Sequence, residues 1–161
     1  MNNRKRLLLA LAGILLLAPI AQAGLGSKKT MYVGGTLNTI PERTEGTSST
    51  TGEKHFVFDY SINKAAKNLS IPYDKINGIE YGQKAGRRVG VAIAATPLAL
   101  LSKKRKHYLT INFTDENDKQ QAAVFELGKD AVRVTLSVVE SRSGRKIEYQ
   151  DDEARKGAKG Q

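Results

Sequence analysis

The sequence predicts a mainly β domain: about seven short antiparallel strands in two crossed sheets, with one open end capped by a C-terminal helix. A β-sandwich or barrel with a peripheral helix is the alternative. Three observations lead there. Apolar and polar residues alternate at period two in a series of short runs, separated by Gly, Pro, Asn and Asp. One stretch near residues 129–142 carries helical spacing instead and ends just before Gly144. The chain of 161 residues has no cysteine, so no disulfide framework or thiolate metal site replaces a packed core. Length over roughly 150 residues gives one domain.

Residues 1–23 read as a secretory signal peptide. A basic start (Arg4, Lys5, Arg6) precedes an apolar run from Leu7 to Ile20, and small residues end at Ala23. A run of about 14 residues is short of the roughly 20 that span a bilayer, so cleavage after Ala23 and export to the periplasm or beyond are expected. Residues 24–30 are polar and read as a linker. A short strand then opens at Met31-Tyr32-Val33 and stops at Gly34-Gly35. Thr44 to Glu53 is rich in Thr, Ser and Gly and reads as an exposed hairpin or loop. Phe56, Phe58 and Tyr60 alternate with Val57 and Asp59, a strand signature. Leu69-Ser70-Ile71 is a further strand, closed by Pro72, which has no amide to give a ladder. Ile76 to Tyr81 is the next, ending at Gly82.

The clearest alternation is His107 to Thr114. His107, Leu109, Ile111 and Phe113 share one face, and Tyr108, Thr110 and Asn112 the other. Asp115-Glu116-Asn117-Asp118 is turn chemistry, and Ala122–Leu127 returns as a strand, giving a hairpin with a loop longer than two residues. Val132, Val134, Leu136 and Val138 alternate as in a strand, yet Val132, Leu136 and Val139 also fall at i, i+4 and i+7. The helix is favoured, with Asp130 in its first turn, Arg142 in its last and Gly144 as its stop. Ile147-Glu148-Tyr149 is a short extension. Residues 150–161 are charged, contain Gly and read as a disordered tail. The single domain therefore spans 31–149.

Charge is distributed very unevenly. The chain carries 26 Lys+Arg against 16 Asp+Glu, a net charge of +10. Three basic residues lie in the leader. Seven more (Lys84, Arg87, Arg88, Lys103, Lys104, Arg105 and Lys106) fall between Tyr81 and Thr114, where there is no acid, and the other 16 balance the 16 acids. Gly86-Arg87-Arg88 and Lys103–Lys106 bracket the uncharged run Val89–Ser102. Within it Val89, Val91 and Ile93 alternate with small residues as a closely packed strand would, and Thr96-Pro97 is a helix-start pair, so Pro97–Leu101 reads as one helical turn. A buried strand pair with solvated basic ends is the plain interpretation. The sharper one is docking of a basic-flanked apolar segment, 85–107, on an anionic membrane surface or an acidic envelope partner. The residues assigned to that contact are Lys84, Arg87, Arg88, Lys103, Lys104, Arg105, Lys106 and His107. Nucleic acid is disfavoured because an exported protein rarely meets it.

No reaction is indicated, and no cofactor or metal is expected. With only His55 and His107 a multi-histidine metal cage is disfavoured. His107 stands beside four cations that disfavour its protonated form, which suits a neutral packed imidazole. Ser48-Ser49 lacks a Gly-x-Ser-x-Gly setting. Asp115, Glu116 and Asp118 lack the glycine and downstream glutamate of a calcium loop. Asn68-Leu69-Ser70 and Asn112-Phe113-Thr114 match the glycan acceptor pattern, a frequent chance match.

About seven strands followed by one amphipathic helix is the element order of a pleckstrin-homology-like fold. The blocks Tyr32-Val33-Gly34-Gly35-Thr36, Ile79-Glu80-Tyr81-Gly82, Gly86-Arg87-Arg88, Lys103–Ile111 and Val124-Phe125-Glu126-Leu127-Gly128-Lys129 resemble a group of small exported bacterial proteins of uncharacterised function, with a pleckstrin-homology-like or GRAM-like domain. The resemblance covers roughly Met31 to Tyr149. It implies a non-enzymatic binding module and supplies no catalytic residues. A structural or assembly protein of the cell envelope, pairing through a strand edge, is the alternative function.

Overall fold

Strand β6 (His107–Thr114) lies where the alternation placed it. The computed structural model describes residues 28–83 and 106–159. In it Leu109, Ile111 and Phe113 of β6 face the core. β6 pairs antiparallel along its length with β7 (Gln120–Leu127). Asp115 builds the turn between them: its Oδ1 accepts the backbone amides of Asn117 and Lys119, both at 2.9 Å, and its Oδ2 accepts the side-chain amide of Gln121 at 2.8 Å. This local carboxylate-to-backbone bonding accounts for the acid-rich loop. On its other side β6 pairs with β5 (Ile76–Gly82). Its second face is buried as well, with Tyr108 packing against Val33 and Val124.

The preceding strands are β1 (Lys28–Gly35), β2 (Thr44–Ser49), β3 (His55–Ile62) and β4 (Ala65–Pro72). β3 and β4 meet at Asn63-Lys64, both with positive φ (52° and 67°), the twist a two-residue hairpin needs. A 3-10 turn at Tyr73–Lys75 leads into β5. β1 pairs with β7 as well as with β2, and β8 (Ile147–Tyr149) adds a parallel edge to β5. The order is therefore β4-β3-β2-β1-β7-β6-β5-β8. Two crossed sheets of about seven antiparallel strands were expected; the ladder is one mixed, unclosed sheet of eight, because β1–β7 pairing joins the two halves and β8 extends the second.

That sheet is strongly coiled. β3 and β7 are three strand spacings apart, about 14 Å on a flat sheet. Yet the Phe125 ring of β7 lies 5.2 Å from Phe56 and 5.4 Å from Phe58 of β3, and 5.9 Å from Tyr32 of β1. Helix α1 (Val132–Ser143) packs into the same core through Val132, Leu136 and Val139, the i, i+4, i+7 set of the helical reading, with Thr135 beside them. It begins later than residue 129, with Ala131 at the N-cap, so Asp130 lies just outside the first turn. Gly144 ends it in the left-handed conformation (φ 67°), donating its amide to the Glu140 carbonyl at 3.1 Å. Arg142 in the last turn donates to the carbonyls of Thr50 (2.6 Å) and Gly52 (2.5 Å) and lies 5.6 Å over the Tyr73 ring. It fastens the helix end to the β2–β3 loop.

Three expectations need correction. β1 starts at Lys28, inside the segment 24–30 read as a linker. Thr44–Glu53, read as an exposed hairpin or loop, begins with β2, which pairs antiparallel with β3, so the hairpin holds and the exposure does not: a Thr- and Ser-rich strand between two neighbours is held by their ladders, and its Ser48 hydroxyl is buried against that of Thr30 at 2.7 Å. Residues 150–161, read as a disordered tail with nothing to bury, contain helix α2 (Asp152–Lys159), which buries Ala154 and Ala158. The leader 1–23, residues 24–27, the strand-turn-helix reading of Val89–Ser102 and residues 160–161 lie outside the described residues.

Replacing Phe125 by alanine removes the ring shared by β1, β3 and β7 and is expected to cost about 3–5 kcal/mol. Gly144→Ala, with open space around the new methyl, should cost only about 1 kcal/mol, from backbone strain alone. Urea midpoints of the two variants check this; equal losses would contradict it.

Candidate functional site

Of the eight residues assigned to the anionic contact, Lys84, Arg87, Arg88, Lys103, Lys104 and Arg105 lie outside the described residues. Lys106 and His107 are described, and they stand at the root of the β5–β6 connection. β5 and β6 pair up to Gly82↔Tyr108, and the Lys106 amide donates to the Gln83 carbonyl at 3.4 Å. The chain between residues 84 and 105 thus leaves and rejoins the sheet at hydrogen-bonded neighbours.

Both described residues have partners within the fold. The Lys106 ammonium donates to Glu126 Oε2 at 2.8 Å, and the two side chains are 30% and 21% exposed. Glu126 reaches it because β7 places it opposite Tyr108. His107 Nδ1 is 2.6 Å from the Tyr81 hydroxyl, with the rings inclined by 17° and 6.2 Å apart. Burial, more than the Tyr149 phenol, pushes the Tyr81 hydroxyl up to about 12, against a hydrogen bond from the Gln83 side chain. Tyr81 therefore keeps its proton at neutral pH. The His107 imidazole titrates below its ordinary value because it is partly desolvated and near the Lys129 ammonium, with Glu126 opposing. A neutral imidazole beside a protonated phenol gives one consistent arrangement: Tyr81 accepts from Gln83 and donates to Nδ1, leaving the His107 proton on Nε2.

The cluster extends to residues that sequence reading left out. Parallel pairing of β8 with β5 sets Tyr149 opposite Tyr81, edge-on at 6.2 Å and 74°. The Arg155 guanidinium of α2 lies 5.7 Å over the Tyr149 ring. Alternation alone offered no signal for this, since the pairing joins strands 68 positions apart in register (Tyr81↔Tyr149).

An open cleft of about 510 Å³ lies near the start of β5, away from this root, lined by Glu53, Lys54, His55, Tyr73 and Arg142 among others. Acids and bases are mixed there, and Arg142 is already committed to the Thr50 and Gly52 carbonyls. Among the described residues no group of three or more His, Asp or Glu is placed to hold a metal ion. Asp115, in the acid-rich turn, is held below the usual carboxylate range first by the Gln121 hydrogen bond and then by the Lys119 amide. Asn112 is buried in β6, and Asn68 lies on edge strand β4. No helix among the described residues is long and apolar enough to cross a membrane. No protein-family model matches the chain, and no curated protein matches its sequence.

His107 generates a pH prediction. With its folded pKa below the free value of about 6.5, the folded protein binds fewer protons than the unfolded chain in mild acid. The stability from this group is present above about pH 6.5 and is lost as pH falls from that value through the lower folded pKa. Urea unfolding at pH 7.5 and pH 5.0 should show a larger acid loss for the natural protein than for His107→Asn, whose side-chain oxygen replaces Nδ1 without titrating. Equal losses would contradict the assignment.

Proposed function

We propose that this protein is an exported, non-enzymatic binding module that engages an anionic membrane surface through the basic-flanked segment 85–107. One observation carries the proposal: the acid-free window holding the net positive charge of the chain beyond its leader corresponds to a single connection between paired neighbours β5 and β6. The connection begins and ends at hydrogen-bonded neighbours, Gln83 and Lys106. Each Lys or Arg near an anionic surface contributes up to about 1 kcal/mol, screened by salt. Lys106 is already paired with Glu126, so the contact rests mainly on Lys84, Arg87, Arg88 and Lys103–Arg105. An acidic envelope protein offers the same charge by another route.

The pleckstrin-homology-like reading belongs to the same proposal. Seven antiparallel strands followed by a helix packed on their core support it, with β8 and α2 as additions to that plan. Binding is favoured over catalysis because the described titratable groups of the root are engaged with one another. The envelope-assembly alternative needs a free strand edge. Edge β4 carries Lys67 in register with Tyr60, on the face that bears Leu69 and Ile71, and a charge on the inward face of an edge strand discourages further pairing. The opposite edge, β8, is three residues long and runs directly into the turn before α2.

Co-sedimentation of the chain from Gly24 onward with vesicles tests the proposal. Binding is expected with phosphatidylglycerol-containing vesicles, absent with neutral ones and weakened by raised salt. Replacing Lys103, Lys104 and Arg105 by glutamine while keeping Lys106 should reduce affinity on the order of 10- to 100-fold at low salt. Binding to neutral vesicles, or affinity unchanged in the triple variant, would refute it.

A further inference from the structure

We propose that Gln150 and helix α2 form a clasp on the root of the β5–β6 connection, and that Gln83 is the positioning residue through which the clasp sets Tyr81 and His107. The juxtaposition is reciprocal. A Cβ at Gly82 of the root would collide with the Gln150 side-chain amide, and a Cβ at Gly157 of the helix would collide with the Gln83 side-chain amide. Each side supplies a glycine that receives the other side's glutamine. Gln83, seated against Gly157, donates its side-chain hydrogen bond to Tyr81. Tyr81 is bonded in turn to His107, and its carbonyl accepts the Gln150 amide at 2.9 Å. The Gln83 carbonyl accepts the Lys106 amide. The docked element therefore touches the β5 stem directly and reaches the β6 stem through Gln83 and Tyr81.

Little holds the clasp in place. An isolated helix needs about 12–15 residues to be even marginally stable, and α2 has 8. Its buried residues are two alanines, Ala154 and Ala158. It is held at its start by the Asp151 carboxylate accepting the Ala154 amide at 2.7 Å, and at its end by Arg133 of α1 donating to the Lys159 carbonyl at 2.5 Å. Local opening concentrates in elements with so little buried apolar surface. Docked, the clasp fixes Gln83 and, through it, the Tyr81–His107 pair; undocked, it releases them. The consequence for membrane affinity rests on the binding function proposed above: pre-organised stems lower the ordering cost of contact.

Amide hydrogen exchange by NMR on the full chain from Gly24 tests the clasp directly. Ala158→Glu places a carboxylate at a buried position and should undock α2. Protection of the Lys106 and Gln150 amides is then expected to fall at least about tenfold, while Leu109 and Phe125 keep theirs. Gly157→Ala favours the helix by propensity yet displaces Gln83, so it should shift the His107 ring-nitrogen resonances while α2 stays helical. Unchanged protection at Lys106 in Ala158→Glu, or loss spread evenly over the core, would overturn the proposal, as would an unmoved His107 in Gly157→Ala. Anionic-vesicle affinity severalfold weaker in Ala158→Glu would support the coupling to binding, and unchanged affinity would refute that coupling. A natural protein that binds no vesicles refutes the binding function alone, because exchange still decides the clasp.

Discussion

The ring of Phe125 is the constraint on which the rest of the structure depends. It stands on β7 and touches Tyr32 of β1 as well as Phe56 and Phe58 of β3, so the sheet has to coil until strands three spacings apart share a core. Without cysteine the fold has no covalent alternative to this packing. The coil leaves a concave face that α1 fills with Val132, Leu136 and Val139. Offset and edge-on ring contacts add about 0.5–1.5 kcal/mol per pair beyond area burial, and they fix the curvature more sharply than interchangeable aliphatic side chains would.

Coiling also decides where the charge is carried. Once β5 and β6 are locked beside β7, their connection leaves from a single place, and the polar groups at that place pair with one another: Lys106 with Glu126, His107 with Tyr81, Gln83 with Tyr81. A scaffold whose remaining charges balance then bears one cationic connection. The β5 stem of that connection is flanked by β8, which pairs with it in parallel.

Much of the fold was legible in the sequence where a local rule suffices. Strict alternation marked β6, the i, i+4, i+7 valine and leucine set marked α1, and Gly144 marked its end. Elements that exist only because of distant partners were not legible. β2 reads as part of an exposed Thr- and Ser-rich hairpin or loop until β1 and β3 flank it, and α2 reads as a charged tail because two alanines give almost no hydrophobic signal. The single sheet rather than two follows from β1–β7 pairing, a contact across most of the chain that no local pattern encodes. Similarly, His107 stood out by its neighbours, but its partner Tyr81 and the bracing Tyr149 depend on strand register.

The most direct measurement is a nuclear Overhauser experiment between the rings of Phe56 and Phe125 in selectively labelled protein. A coiled sheet with centroids 5.2 Å apart predicts strong ring-to-ring cross-peaks, alongside those from Phe58 to Phe125. Absence of both, with the β1–β7 cross-strand contacts still present, would mean that β3 and β7 do not share a core and would contradict the account.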